Sequence, residues 1–491
     1  MTAKPRVSLR RRYYDTFDWR LYRNGYVFET DDLEPPTGRI RSLGRRGDQI
    51  TTVLGREPDF AWNFEQSELR ESLKQFLAVR RLLCQAETRV SIEPFEVMDS
   101  GGKVLLRLEL EKYQRREQTG RYRSFLVNCR FSPLKGYHNV CNSMLDLIDA
   151  DAGKPVITRD PLLVILSMDN KLPGGYSSKF NLTFNQEMSI GQVLAQTLLF
   201  HLDIIVKNLP GLRQDLDTEF LHDLRIANRR SRTLVTQIKQ VLPPVKEKHY
   251  REIFSWLSKE TSEHRDLDVF LQDIPRHLSV LPDKMRNDLE PLRAALSERW
   301  NKTHQRLLQV LDSEKFNSFV SDYRACLTAG LRDHFQTVAG SRTALVIANR
   351  VIWQAYQKML KQGSMVSQSG DREVLHELRK TAKKLRYLLE TFRSLYPWQD
   401  MENVIMQCRK MQNILGQIVD FRVQQNYLMG LVDGAGRASV FPDTTVACIR
   451  YLIDAYNKLE VTAYAKFAGR FRRFSEPGVS EQFEKLFKVT G

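Results

Sequence analysis

The chain has 491 residues, 42% hydrophobic and 27% charged, which is enough apolar material for two or three packed cores and excludes a disordered polymer. Lys and Arg number 75 against 59 Asp and Glu, and the net charge of +16 favours a polyanionic partner: nucleic acid, inorganic polyphosphate or an acidic membrane surface. The six cysteines, at 84, 129, 141, 326, 408 and 448, form no CxxC pair and no Cys/His zinc spacing, so neither a disulfide framework nor a zinc site is expected.

The basic N-terminus lacks the apolar run of a signal peptide, and no apolar stretch reaches ~18 residues, so a cytoplasmic protein without a membrane span is expected. Residues 1–170 read as β-rich. An amphipathic helix is expected over Ser67–Gln85. Thr88–Glu93 and Val104–Glu111 read as strands of one hairpin, turned at Asp99-Ser-Gly-Gly102. In the second strand Leu108 and Leu110 alternate with Glu109 and Glu111. A further strand, Tyr122–Phe131, ends at Ser132-Pro133, because proline lacks the ladder donor. The run Pro161–Met168 reads as a buried strand or as a strand at a domain seam.

Residues 171–186 contain Pro173-Gly-Gly175 and little periodicity, and read as a linker. From 187 onward the period is helical. Ser189 is placed to cap a helix that ends near Asn208, before Leu209-Pro-Gly211, and Thr218 one that runs through Ile238. Further helices are expected near 246–260, 265–275, 282–311, 315–338, 342–362, 371–395, 400–425, 443–457 and 473–488.

Two of these helices carry one pattern. Leu221-His222-Asp-Leu-Arg225-Ile-Ala-Asn-Arg229-Arg230-Ser-Arg232 and Leu375-His376-Glu-Leu-Arg379-Lys380-Thr-Ala-Lys383-Lys384-Leu-Arg386 lie 154 residues apart. Asp266 and Asp420 keep the same offset, which extends the agreement well beyond one helix and marks an internal duplication. Positions i, i+3, i+7 and i+10 share a helix face, so His222, Arg225, Arg229 and Arg232 make one basic stripe about 15 Å long. His376, Arg379, Lys383 and Arg386 make another. One such stripe alone reads as a solvated face. Two in register, with no interleaved acid, point to an extended anion of closely spaced charges, which guanidinium forks hold two oxygens at a time. Each histidine reads equally as a core hydrogen-bond donor. Asp266 and Asp420 read as structural partners of arginines.

The pattern H-x-x-R-x-x-x-[RK]-[RK]-x-R, present twice, resembles the conserved histidine α-helical (CHAD) family. Arg265-Asp-Leu-Asp-Val269, Leu311–Phe316 and Leu415-Gly416 through Asp420 add to the likeness, which spans about 187–491. The resemblance implies an all-α domain of two pseudo-symmetric bundles, about 187–340 and 341–491, around a basic groove that binds inorganic polyphosphate. It further implies an association with polyphosphate granules. The groove residues it carries over are His222, Arg225, Arg229, Arg230, Arg232, His376, Arg379, Lys380, Lys383, Lys384 and Arg386.

Arg12-Tyr-Tyr-Asp-Thr16, Leu21–Gly25, Leu108–Glu111 and Ser132–Tyr137 resemble the CYTH, or triphosphate tunnel metalloenzyme, family. That likeness implies a closed antiparallel β-barrel around a triphosphate. The E-x-E-x-K strand on which that family's activity depends is missing: before Tyr13 the chain offers Lys4, Arg6, Arg10, Arg11 and Arg12 and no glutamate. Glu109 and Glu111 remain as a reduced set of metal ligands, and Arg10, Arg11 and Arg12 as an anion site without hydrolysis. The expected fold is thus α+β multidomain, a degenerate β-barrel-like domain followed by the helical one. The expected function is non-enzymatic polyphosphate binding with no cofactor. The alternatives are a Mg²⁺- or Mn²⁺-dependent tripolyphosphatase in the N-terminal domain and nucleic-acid binding. The last is disfavoured because no aromatic stacking platform interleaves the basic stripes.

Overall fold

A computed structural model describes residues 1–43, 49–65, 67–116, 120–152, 159–369, 371–432 and 441–488. The chain divides into two compact units, 1–177 and 178–491. Unit 1 runs β1 (Thr2–Ala3), β2 (Val7–Asp15), α1 (Arg20–Arg23), β3 (Tyr26–Asp31), β4 (Thr37–Ser42), β5 (Gln49–Val53), α2 (Glu68–Leu77), β6 (Leu83–Met98), β7 (Val104–Arg116), β8 (Tyr122–Pro133), α3 (His138–Ala152) and α4 (Pro161–Met168).

The strands form one antiparallel sheet in the order β5-β4-β3-β2-β6-β7-β8, with β1 added to β6. The sheet is open. A closed barrel would pair β5 with β8, and among the described residues it does not. β5 has only 5 residues and β8 has 12, so their edges cannot match along their length. The β6–β7 hairpin forms around the expected turn, with Ile92 opposite Glu111.

The closed barrel is therefore corrected to an open sheet, and two further expectations in this unit are corrected. The helix over Ser67–Gln85 stops at Leu77, and β6 begins at Leu83, where alternation buries Ala86, Thr88 and Val90. Pro161–Met168 is a helix, not a strand: Asp160 accepts from Leu162 N at 3.0 Å and Pro161 stands at the first helical position. Six apolar residues in a row, Pro161 to Leu166, carry no period, so only the cap distinguished the two. Leu162, Ile165 and Leu166 pack with Tyr13, Val27 and Ala86 in a small core.

Unit 2 is helical: α5 (Ile190–Arg213), α6 (Glu219–Gln237), α7 (Pro244–Glu260), α8 (Ser262–Gln272), α9 (Ile274–Val280), α10 (Glu290–Asp312), α11 (Glu314–Asp333), α12 (Ala344–Ser369), α13 (Arg372–Phe392), α14 (Trp398–Val432), α15 (Asp443–Phe474) and α16 (Pro477–Phe487). Ser189 and Gln192 close a reciprocal capping box at the start of α5. This helix runs through Pro210 instead of ending before it. It then passes so close to Phe220 that any side chain at Gly211 would collide with that ring. Thr218 stands at the start of α6 without capping it; its hydroxyl accepts from Gln272, and Asp217 accepts from Glu219 N at 2.9 Å instead. On length and composition α5 is apolar enough to cross a membrane, which the run-length reading missed, but most of it is buried inside the unit.

The duplication is visible in the backbone. α5 and α6 recur 154 residues on as α12 and α13, while α7 and α8 recur fused into α14. At the N-termini of α5 and α12 the chain pairs with its own repeat. Ile190 N donates to Arg342 O at 2.8 Å and Ala344 N to Met188 O at 2.9 Å, and each bond is the other shifted by the repeat. A pseudo-two-fold axis passes between them.

Candidate functional site

The site lies where α6, α7 and α13 meet. Each helix buries one apolar stripe: Leu221, Leu224 and Leu234 on α6; Ile253, Phe254 and Leu257 on α7; Leu375, Leu378, Leu385 and Leu388 on α13. The 3.6-residue period then turns the polar positions of all three toward one cavity of about 920 Å³. Its walls carry Arg229, Arg232, Lys248, Arg251, Arg379, Lys380, Lys383 and Lys384, with His376 and one carboxylate, Glu252. Thr233, Thr236, Ser255 and Tyr387 complete the lining. Asp371 caps α13, accepting from Glu373 N at 2.8 Å and Val374 N at 3.2 Å, and so sets its start.

Among the described residues, no carboxylate pairs with Arg229, Arg232, Lys248, Lys383 or Lys384. The crowding shows in the titration of the lysines. Burial, then Arg379 and Arg229, push Lys383 down to about 7; Asp420 opposes this and Arg386 adds to it. Lys384 is lowered by burial and Lys358, and His376 by burial, Lys380 and Arg379. A bound anion would relieve all three.

Of the two stripes, the cavity gathers Arg229, Arg232, His376, Arg379, Lys380, Lys383 and Lys384. Four residues lie outside its lining. Arg225 turns back into the bundle, donating to Ser258 O at 3.0 Å and Thr261 Oγ1 at 2.6 Å, and burial with Arg229 lowers it to about 10. Arg230 and Arg386 flank the Tyr387 ring at 5.4 and 5.5 Å, and both are held by Glu390, at 2.8 and 3.5 Å. His222 is half-buried near the start of α6. The sequence reading of stripes free of acids therefore holds for part of each stripe only. Arg379, though in the cavity, donates to Asp420 at 2.6 Å, and Lys380 to Glu377 at 2.8 Å. Asp266 faces Arg225 and Arg265. Lys248 and Arg251 were missed because the repeat does not preserve them: their counterparts in α14 are Glu402 and Ile405. Their own i, i+3 spacing was the available signal.

In unit 1, strand alternation splits the Arg10–Arg12 run. Arg10 and Arg12 face a mixed-charge cleft of about 480 Å³ with Arg56, Asp31, Asp32 and Glu57, and Arg12 pairs with Glu87 at 2.7 Å. Arg11 points the other way and is 1% exposed. It holds Asp31 at 2.7 Å, Glu111 at 2.9 Å and the Tyr113 hydroxyl at 2.9 Å. Glu111 also pairs with Arg130 at 3.0 Å, and Arg130 approaches Glu109 at 3.9 Å. Both oxygens of Glu111 are thus engaged, by Arg11 and by the Tyr113 hydroxyl. Among the described residues no group of three or more His, Cys, Asp or Glu is placed to hold a metal.

The CHAD domain family model matches residues 196–428. Those residues form a CHAD domain. Among solved structures, the chain is similar to the CHAD domain from the plant Ricinus communis, with 20% identity, covering 64% of this chain and 98% of that one, at a TM-score of 0.46. It is also similar to PptA from Streptomyces chartreusis, with 15% identity, covering 58% of this chain and 99% of that one, at 0.44. No curated protein matches the chain. All the basic groups of the cavity lie inside the CHAD domain.

Proposed function

We propose that this protein binds inorganic polyphosphate in the CHAD cavity, stoichiometrically and without a cofactor, and acts as a granule-associated or scaffolding protein. One observation carries the reading: eight cationic side chains and a histidine converge on one cavity against a single lining carboxylate. The CHAD family's link to polyphosphate supports it. A linear chain of phosphates supplies negative charge at the spacing such a cavity needs, and guanidinium forks and lysine point charges read charge spacing, not sequence.

The test is a titration with long-chain polyphosphate at two ionic strengths, with RNA as competitor. Affinity should fall steeply with salt, by a log–log slope of roughly 0.7–0.9 per phosphate contact as counterions are released. RNA that displaces polyphosphate at equal phosphate concentration would overturn the assignment.

A further inference from the structure

The pseudo-two-fold axis predicts two equivalent cavities, one on each side of the α6–α13 pair, but the repeat-related positions do not reproduce the basic lining. Shifting the cavity lining by the repeat replaces Lys380 with Ile226, Lys248 with Glu402, Arg251 with Ile405 and Thr236 with Glu390. On the related side Glu390 lies within 2.8 Å of Arg230, 3.5 Å of Arg386 and 3.8 Å of Arg409, so the arginines there already have a shared counter-ion. Glu402 is likewise taken up by Arg393 at 2.9 Å. On the α7 side Lys248 is exposed and has no carboxylate partner among the described residues. Among the described residues Arg251 has only Glu247, at 3.9 Å. A pair this long with an exposed guanidinium holds weakly, so Arg251 is available to a stronger anion.

We propose that the bound polyanion leaves the axis on one side only, running onto α7, where Lys248 and Arg251 bind it, while Glu390 closes the related side. The proposal rests on the polyphosphate reading and makes the site directional. Six of its eight cationic contacts come from the duplicated helices α6 and α13, and two from α7, whose repeat carries Glu402 and Ile405 at those two positions. A phosphate approaching Arg230, Arg386 or Arg409 must first displace a carboxylate already in place; one approaching Lys248 displaces only water.

Binding of long-chain inorganic polyphosphate to the full chain at two salt concentrations tests this. Lys248→Ala with Arg251→Ala should weaken affinity about tenfold and reduce the salt slope by roughly 1.4–1.8, the share of two lost contacts. Both residues are exposed, so the fold should be intact, and a thermal melt checks it. Arg409→Ala should leave affinity within about twofold, as expected for a group outside the phosphate path. Wild-type affinity in the α7 double variant overturns the directional site, as does an Arg409→Ala loss equal to the double variant's. Arg229→Ala with Lys383→Ala separates the two levels. If that pair abolishes binding while the α7 pair does nothing, the central cavity survives and the off-axis path fails. If neither pair matters, the polyphosphate reading itself fails.

Discussion

Arginines gather in both units, with opposite outcomes. In unit 1, Arg11, Arg39, Arg41 and Arg130 face Glu29, Asp31, Glu111 and Asp160 across the interior of the sheet, four guanidiniums against four carboxylates. Burial alone would raise Glu29; Arg41, Arg11, Arg39 and Arg130 together hold it far below the usual carboxylate range. In the CHAD domain, Arg229, Arg232, Lys383 and Lys384 face one another across an open cavity, and Lys383 is pushed down to about 7. A basic count therefore says little until the partners are known. Charges buried with matched counter-charges serve the fold, and charges left to repel one another mark a site for an external anion.

The largest effect that would sharpen this contrast is in unit 1. Glu29→Ala should strip several guanidiniums of their common partner and cost about 3–5 kcal/mol of that unit's stability, as for other broken buried pairs. Polyphosphate affinity should not change. Denaturant melts and a binding titration on the same variant check both halves. A stable Glu29→Ala protein would mean the network is not structural.

Next is charge reversal in the cavity. Arg229→Glu with Lys383→Glu should weaken polyphosphate binding about a hundredfold, ~2.7 kcal/mol. Apo stability should hold or rise, because the repulsion is removed. Binding that survives the reversal would break the comparison at its second term. In the wild type, saturating polyphosphate should raise the unfolding temperature of the helical unit by a few degrees, the linkage expected from ~2.7 kcal/mol at a hundred times Kd. A calorimetric scan with one unmoved and one shifted transition is the expected record.

The smallest effect is the pH dependence. Lys383 titrates near 7 in the folded protein and near 10.5 in the unfolded chain. Between those values the unfolded state holds more protons, so apo stability rises with pH across that window and this contribution is flat below 7. A polyanion favours the charged amine. Binding at pH 8 should therefore take up a proton, and affinity should weaken as pH rises from 7. Calorimetry in two buffers of different ionisation enthalpy reads the uptake directly, and Lys383→Met should lose it. No uptake in the wild type would remove Lys383 from the contact set.

Much of this architecture was legible in the residues. The change of period after 170, the Ser189 cap and the 154-residue repeat outlined a β-rich part and a duplicated helical part, because helix faces and strand alternation are local consequences of spacing. Periodicity also placed Arg229, Lys383 and Arg379 on polar faces. It could not tell that Arg225 would turn back to Ser258 and Thr261, or that Glu390 would reach Arg230 from 160 residues away. Nor could it tell that α7 would bring Lys248 and Arg251 to the cavity. Those outcomes depend on which helix packs against which, and so on how close a carboxylate comes to each arginine. Sequence alone determined which faces are charged; tertiary packing decided which charges remain unpaired, because Coulomb energy depends on distances that spacing along one helix does not contain.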